Sequence, residues 1–279
     1  MLPRFTDFLD TVIGYSFFVP DYAFMQSAAI LIGIYLVLRR ADHVGFEGKG
    51  IFLACLVVIV FALVCARLCV ILQFHRYYLD HPVEVFDISK GGTASTGAYI
   101  GGMVGAVLGA RWQRLSLARF LDCCAPSVAL AIVLGRVGCF LNGCCYGQIS
   151  EVPWAMRFPE GSGPHFAHLQ AGLISQGQLS LPVHPTQLYE AAYAALLFLA
   201  LLWYRGRQQR GGELFAFLFV LYPIGRFVIE LFRADERGSF LMFSIPQLLS
   251  IVAFTVAVSF LMKNKVFAGS GITSAGVTA

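Results

Sequence analysis

Hydrophobic residues along this chain gather in seven runs, each close to the length that a helix needs to cross a lipid bilayer. The spans predicted from these runs cover residues 22–39, 51–73, 97–110, 120–140, 189–204, 213–233 and 245–262. The third run is short and rich in glycine. Its Gly97, Gly101 and Gly105 stand four residues apart, which predicts close packing of one helix face against a neighbour.

Composition agrees with this pattern. Hydrophobic residues make up 58% of the 279 residues, charged residues make up 13%, and the mean hydropathy is +0.72. A soluble domain of this length could not bury so much apolar surface. We therefore predict an all-α polytopic membrane protein with seven transmembrane helices.

Arginine and lysine indicate how the spans are oriented. They are concentrated in alternate loops, at residues 39–49, 111–119, 205–210 and 263–265. Because cytoplasmic loops carry the excess of positive charge, the N-terminus is predicted outside and the C-terminus in the cytoplasm. The net charge of +4 is then mainly a topology signal, and no nucleic-acid partner is predicted.

The polar segments complete the predicted organisation. Residues 1–267 form one transmembrane domain, with an arm at 74–96 and a small head at 141–188, both on the outer face. Residues 4–19 resemble an amphipathic helix at the membrane surface, and residues 268–279 a disordered cytoplasmic tail.

Three arginines fall inside predicted spans. Arg67, Arg136 and Arg226 lie 16, 16 and 13 residues after the cytoplasmic starts of their spans. At 1.5 Å per residue these positions are about 24, 24 and 20 Å deep, a shared level in the outer leaflet. Three cations at one depth require an anion or carboxylates between them, and the guanidinium fork suits a lipid phosphate. An ion-pair network between helices is the structural alternative.

The sixth span adds a polar stripe. Tyr222, Arg226, Glu230 and Arg233 have the spacing that places side chains on one helical face. Glu230 is expected to pair with Arg226 or Arg233.

The stretch after the fourth span combines glycines with cysteines. The glycines after Arg136 predict that the helix breaks into an irregular loop lining a protected cavity. Cys139, Cys144 and Cys145 lack the usual zinc spacing, and adjacent cysteines are awkward ligands for one ion, so no metal site is predicted. A disulfide involving one of them remains an alternative in an oxidising compartment.

Two further motifs flank the predicted head. Residues 135–147 read Gly-Arg-Val-Gly-Cys-Phe-Leu-Asn-Gly-Cys-Cys-Tyr-Gly, and residues 184–190 read His-Pro-Thr-Gln-Leu-Tyr-Glu. They resemble the motifs Gly-Arg-x-Gly-Asn-Phe-x-Asn-Gly and His-Pro-Ser-Gln-Leu-Tyr-Glu of a known family, the bacterial prolipoprotein diacylglyceryl transferases. Further matches, in order along the chain, are Tyr22, Ala66-Arg67-Leu68, Gly91-Gly92, and Tyr222 with Arg226, Glu230 and Arg233.

The resemblance implies a seven-span enzyme of the bacterial inner membrane with a periplasmic head, a periplasmic N-terminus and no metal or organic cofactor. Such an enzyme transfers diacylglyceryl from phosphatidylglycerol to the lipobox cysteine of a preprolipoprotein signal peptide and releases glycerol phosphate. Its partners are these two substrates and membrane lipids. The resemblance implies catalytic roles for Arg136, Arg226 and Tyr222. It implies substrate-binding roles for Tyr22, Arg67, Gly97, Asn142, Gly147, Gln187, Glu190, Glu230 and Arg233.

Two departures leave alternatives open. Thr96 stands where the family commonly has histidine, and Cys139 stands where the signature has asparagine. They suggest a paralogue with the same headgroup site and a different acceptor. A non-enzymatic lipid-binding protein is a third hypothesis. Glu190 is either the base that accepts the thiol proton or a residue that orients an arginine.

Overall fold

The computed structural model describes residues 21–85, 94–208, 210–234, 239–240 and 243–263. Within these residues the protein is helical apart from one hairpin of two short strands. The helices are α1 (Asp21–Val44), α2 (Gly48–Gln73), α3 (His75–Asp80), α4 (Ser95–Trp112), α5 (Leu117–Leu141), α6 (Gly163–Gln170), α7 (Thr186–Tyr204), α8 (Glu213–Glu230) and α9 (Ile245–Lys263). A 3₁₀ turn covers Pro82–Val85, and strands β1 (Ser239–Phe240) and β2 (Phe243–Ser244) pair antiparallel.

Seven of these helices, each of 18 residues or more, occupy the positions of the seven predicted spans. Four of them are long and apolar enough to cross a membrane: α1 over Tyr22–Asp42, α2, α5 and α7. α9 contains a shorter apolar stretch, Pro246–Ser259. α8 carries Glu213, Arg226 and Glu230 among its 18 residues, which reduces its apolar character. The structure thus shows a helical, multi-pass membrane protein.

The chain divides into two compact units. One consists of residues 32–124, and the other of residues 1–31 with 125–279. The single transmembrane domain predicted over residues 1–267 stays a prediction. The predicted helix at 4–19, the tail at 268–279 and Gly91-Gly92 lie outside the described residues.

The unit of residues 32–124 is organised by close contact between α2 and α4. A Cβ atom at Gly97 would lie 2.8 Å from the Cα of Ala66, and one at Gly105 would lie 2.8 Å from the Cα of Val58. Gly101 likewise has no room for a side chain, because the Phe61 carbonyl occupies that position. The predicted packing through Gly97, Gly101 and Gly105 is confirmed.

The described part of the arm, residues 74–85, belongs to the same unit. Arg67 reaches it from α2: its Nε donates to the Val85 carbonyl at 3.0 Å and its Nη2 to the Glu84 carbonyl at 2.6 Å. Its guanidinium also lies 5.2 Å from the centre of the Tyr78 ring. Arg67 therefore holds the arm to the end of α2.

In the other unit α7 packs against α5 and α8. The buried contacts come from alanine and leucine side chains, namely Ala125, Ala129, Leu197, Leu201, Leu214 and Leu218. The segment between α5 and α7 contains α6 and is held by isolated β-bridges, Ile149 with Val183, Met156 with Val183, and Gly147 with Arg233 beyond α8. This segment is the predicted head.

Candidate active site

One buried carboxylate joins three helices. Glu190 lies one turn inside α7 and is fully buried. Its Oε1 is 3.0 Å from Nη2 of Arg136 on α5 and 3.8 Å from Nε of Arg226 on α8. The Tyr222 hydroxyl donates to the same oxygen at 2.8 Å. The three residues predicted to be catalytic thus meet at Glu190.

A second carboxylate extends this group along α8. Glu230 accepts a hydrogen bond from Nη1 of Arg226, and its Oε2 lies 3.8 Å from Nε of Arg233. Its Oε1 accepts from the Ser244 hydroxyl at 3.0 Å. The sequence predicted that Glu230 pairs with Arg226 or Arg233; the structure shows that it pairs with both. We call Arg136, Glu190, Arg226, Glu230 and Arg233 the arginine–carboxylate cluster.

The cluster carries three guanidinium groups and two carboxylates and lies almost entirely out of solvent. Side-chain exposure is 15% for Arg136, 8% for Arg226 and 0% for Glu190. Buried charges are tolerated only when opposite charges pair with them. Each carboxylate of the cluster is therefore needed to keep its arginines in place. The excess of one positive charge makes the cluster suited to an anion.

Two buried acceptors lie beside the charged contacts. Oε2 of Glu190 and Oε1 of Gln187 have no hydrogen-bond partner within the described residues. A buried acceptor without a donor is unfavourable by about 1–3 kcal/mol. Such atoms are suited to hydroxyl or thiol donors of a substrate.

The first residues of α7 fix the loop that follows α5. Nε2 of Gln187 donates to the Cys144 carbonyl at 2.7 Å, and the Thr186 hydroxyl donates to the Cys145 carbonyl at 2.9 Å. Gly147 lies between His184 and Phe232, where an added Cβ would be 2.6 Å from the Cβ of His184. The substrate-binding roles of Gln187 and Gly147 stay predictions, and Asn142 is exposed.

The helix break predicted among the glycines after Arg136 comes at the end of α5, Leu141, where an irregular loop begins. That this loop lines a protected cavity stays a prediction. Gly135 and Gly138, which lie within the helix, pack against the start of α1. A Cβ at Gly138 would be 3.1 Å from the Cβ of Met25 and 3.4 Å from Cδ2 of Tyr22, which brings Tyr22 next to the signature motif. The loop begins after Leu141, where Gly143 has a φ of +66°.

Three thiols lie in this loop and the last turn of α5. The sulfur atoms of Cys139, Cys144 and Cys145 all lie within 4.8 Å of one another. Cys145 has a φ of +63°, a left-handed conformation that is uncommon for residues other than glycine. Hydrogen bonds with Cys139 and Cys144 and the positive charges of Arg233 and Arg136 lower the pKa of the Cys145 thiol.

The sequence drew attention to these three cysteines but not to the mutual proximity of their sulfurs, because adjacent side chains normally diverge. In the structure Cys145 has a left-handed conformation, and the sulfurs of both adjacent cysteines lie close to that of Cys139. The signal in the sequence was the glycine on each side of the loop, Gly143 and Gly147.

Arg67, Thr96 and Gly97 belong to the other compact unit. Their predicted place beside the cluster, and the common depth of Arg67 with Arg136 and Arg226, stay predictions.

Comparison with known proteins decides the family. The model of the family described as prolipoprotein diacylglyceryl transferase matches residues 12–263. The chain belongs to this family. The two motifs that carry the resemblance are the ones whose Arg136 and Glu190 meet in the structure.

Three bacterial relatives show how far the similarity extends, and each is called phosphatidylglycerol–prolipoprotein diacylglyceryl transferase. The protein of Clostridium tetani is 31% identical over 244 residues, covering 87% of this chain and 91% of the relative. That of Geobacter sulfurreducens is 32% identical over 238 residues, covering 82% of this chain and 84% of the relative. That of Enterococcus faecalis is 33% identical over 240 residues, covering 85% of this chain and 83% of the relative.

Proposed function

We propose that this protein transfers the diacylglyceryl group of phosphatidylglycerol to the lipobox cysteine of a preprolipoprotein, forming a thioether and releasing glycerol phosphate. The observation that carries the proposal is the contact of Arg136, Arg226 and Tyr222 with one oxygen of buried Glu190, Oε1. The family membership and the names of the relatives support the same reaction.

Arg136 and Arg226 bind the phosphodiester of the lipid. The excess positive charge of the cluster matches the single negative charge of that group, and a guanidinium presents paired donors to phosphate oxygens. Glu190 holds both arginines before substrate arrives. Such preorganised donors stabilise charge that develops on a leaving group at little reorganisation cost.

The chemistry replaces a carbon–oxygen bond by a carbon–sulfur bond. The thiolate of the acceptor attacks the glycerol carbon, and the bonding pair leaves on the phosphate oxygen beside the arginines. Oε2 of Glu190, buried and without a hydrogen-bond partner in the described part of the chain, is the acceptor we assign to the thiol proton. Tyr222 orients this carboxylate through the other oxygen.

The remaining assignments follow the same proposal. All seven long helices span the bacterial inner membrane, with the N-terminus and the head on the periplasmic side and the C-terminus in the cytoplasm. The substrate-contacting residues are Tyr22, Arg67, Gly97, Asn142, Gly147, Gln187, Glu230 and Arg233.

The test is transfer in vitro from labelled phosphatidylglycerol to a lipobox peptide, with a matched peptide whose cysteine is replaced by serine. We expect cysteine-dependent labelling by the wild type and a loss of about 100-fold or more in Arg136→Ala and Arg226→Ala. Arg207→Ala is the matched control, because Arg207 lies in the loop after α7 and stacks on Trp203, 3.9 Å from the ring centre.

Two outcomes would overturn the proposal. One is a folded wild type that labels neither peptide; the other is full activity in both cluster variants. Consumption of labelled phosphatidylglycerol without labelling of the peptide would instead favour the paralogue with a different acceptor, which Thr96 and Cys139 suggest.

A further inference from the structure

The cluster of Cys139, Cys144 and Cys145 has no role in the proposed transfer. Cys139 is buried at the end of α5, and the other two are half-buried in the loop. Their three sulfur atoms share a space in which every pair is within 4.8 Å. Thiolate sulfur is the preferred ligand of thiophilic metal ions, and three sulfurs at one point form a ligand set.

Hydrogen bonds of the main chain hold the three cysteines close together. The Cys144 amide donates to the Cys139 carbonyl at 3.1 Å, which continues the last turn of α5 into the loop. The carbonyls of Cys144 and Cys145 are bound by Gln187 and Thr186, both fully buried. This frame maintains the left-handed conformation of Cys145, which is uncommon for a residue with a side chain.

We propose that Cys139, Cys144 and Cys145 bind one thiophilic metal ion of the Zn²⁺ class through three thiolates. Zn–S bonds of about 2.3 Å place the sulfurs of a tetrahedral site about 3.8 Å apart. Small side-chain rotations bring the three sulfurs from within 4.8 Å to that spacing. Three protein ligands leave the fourth position of the ion open, as in catalytic rather than structural zinc sites.

The charge around the thiols favours this occupant. Zn²⁺ with three thiolates carries one net negative charge. Arg136 and Arg233 both interact electrostatically with Cys145, so the loaded site lies in a positive field. This field reduces the unfavourable free energy of burying the anionic complex.

A disulfide is the competing occupant of the same atoms. It would join two sulfurs at about 2.05 Å and leave the third thiol alone. The mutual proximity of all three sulfurs favours an ion over a pairwise bond, and the experiment separates the two.

The experiment uses the full chain purified in detergent under reducing conditions, stripped with a chelator and titrated with Zn²⁺ against a chromophoric competitor. We expect one ion per chain in the wild type and at least tenfold weaker binding in Cys139→Ser, Cys144→Ser and Cys145→Ser. Cys69→Ser is the control, because Cys69 is a half-buried cysteine of α2 in the other unit. It should bind as the wild type does.

A second measurement needs no variant and therefore does not depend on their folding. Zn²⁺ should protect Cys144 and Cys145 of the wild type from alkylation, read residue by residue by mass spectrometry, and a chelator should reverse the protection. The proposal is overturned if the folded, reduced wild type binds no ion, if binding survives all three substitutions, or if protein isolated without reductant contains a disulfide between two of the three thiols and no bound Zn²⁺. None of these readouts requires transferase activity.

Discussion

Two helix interfaces of this protein solve the same packing problem differently. Between α2 and α4, glycines let the backbones touch, and a Cβ at Gly105 would be 2.8 Å from the Cα of Val58. Between α5, α7 and α8, apolar packing is accompanied by buried charges, and Glu190 binds Arg136 and Arg226. In lipid, helices associate through both close packing and polar contacts. Buried charges that join helices are also groups suited to a charged ligand, which closely packed glycines are not.

The largest effect should come from removing the shared carboxylate. Glu190→Ala leaves Arg136 and Arg226 buried without their common partner, so transfer should fall by about 1000-fold and the free energy of unfolding by about 3–5 kcal/mol. Rates of peptide labelling and denaturant titration measure the two effects. Glu151→Ala, at an exposed position of the head, is the control. Transfer within tenfold of the wild type would contradict the role of Glu190.

The next effect separates charge from geometry. Arg226→Lys keeps the positive charge but loses the planar fork that reaches both Glu190 and Glu230, so transfer should fall by about 100-fold. The measurement is the rate per folded molecule at saturating lipid. Arg207→Lys should leave that rate unchanged. An Arg226→Lys enzyme as fast as the wild type would show that charge alone suffices.

A substitution at the glycine interface between α2 and α4 should change the stability of the protein rather than its transfer rate. Gly105→Val places a branched side chain against the backbone of α2, so the free energy of unfolding should fall by about 1–3 kcal/mol. Gly102→Ala is the matched control, because nothing lies within 4 Å of its added Cβ. Thermal unfolding measures the difference. Equal melting temperatures for the two variants would refute the close contact.

The smallest effect concerns the head. Burial, and then the neighbouring His165, lower the pKa of His168, whose Nδ1 accepts a hydrogen bond from the Leu181 amide at 3.1 Å. A depressed histidine pKa means that the unfolded chain binds the proton more readily, so head stability is complete above about pH 6.5 and falls as the pH decreases below it. Proteolysis of the head as a function of pH measures this. His168→Gln should flatten the profile and His75→Gln, at an exposed position, should not; an unchanged His168→Gln profile would contradict the assignment.

Much of the fold was predictable because a chain that crosses lipid can adopt only a few backbone structures. The seven hydrophobic runs became seven helices, and the glycines of α4 lie where their four-residue spacing placed them. Arg226 and Glu230 pair because residues four apart on a helix are neighbours. The predicted break into a loop comes at Leu141, after Gly138, for a reason that sequence does not show: Met25 and Tyr22 of α1 lie against Gly138, so this glycine serves helix packing.

The sequence by itself determined the membrane class, the helices and the family motifs, because these depend on local pattern and on the energetic cost of charge in lipid. Only the tertiary structure decided that one oxygen of Glu190 joins Arg136, Arg226 and Tyr222, that Arg67 binds the carbonyls of Glu84 and Val85, and that three thiols meet beside the arginines. Those facts depend on which atoms of distant segments come within a few ångströms, and the order of residues along a chain does not specify such distances.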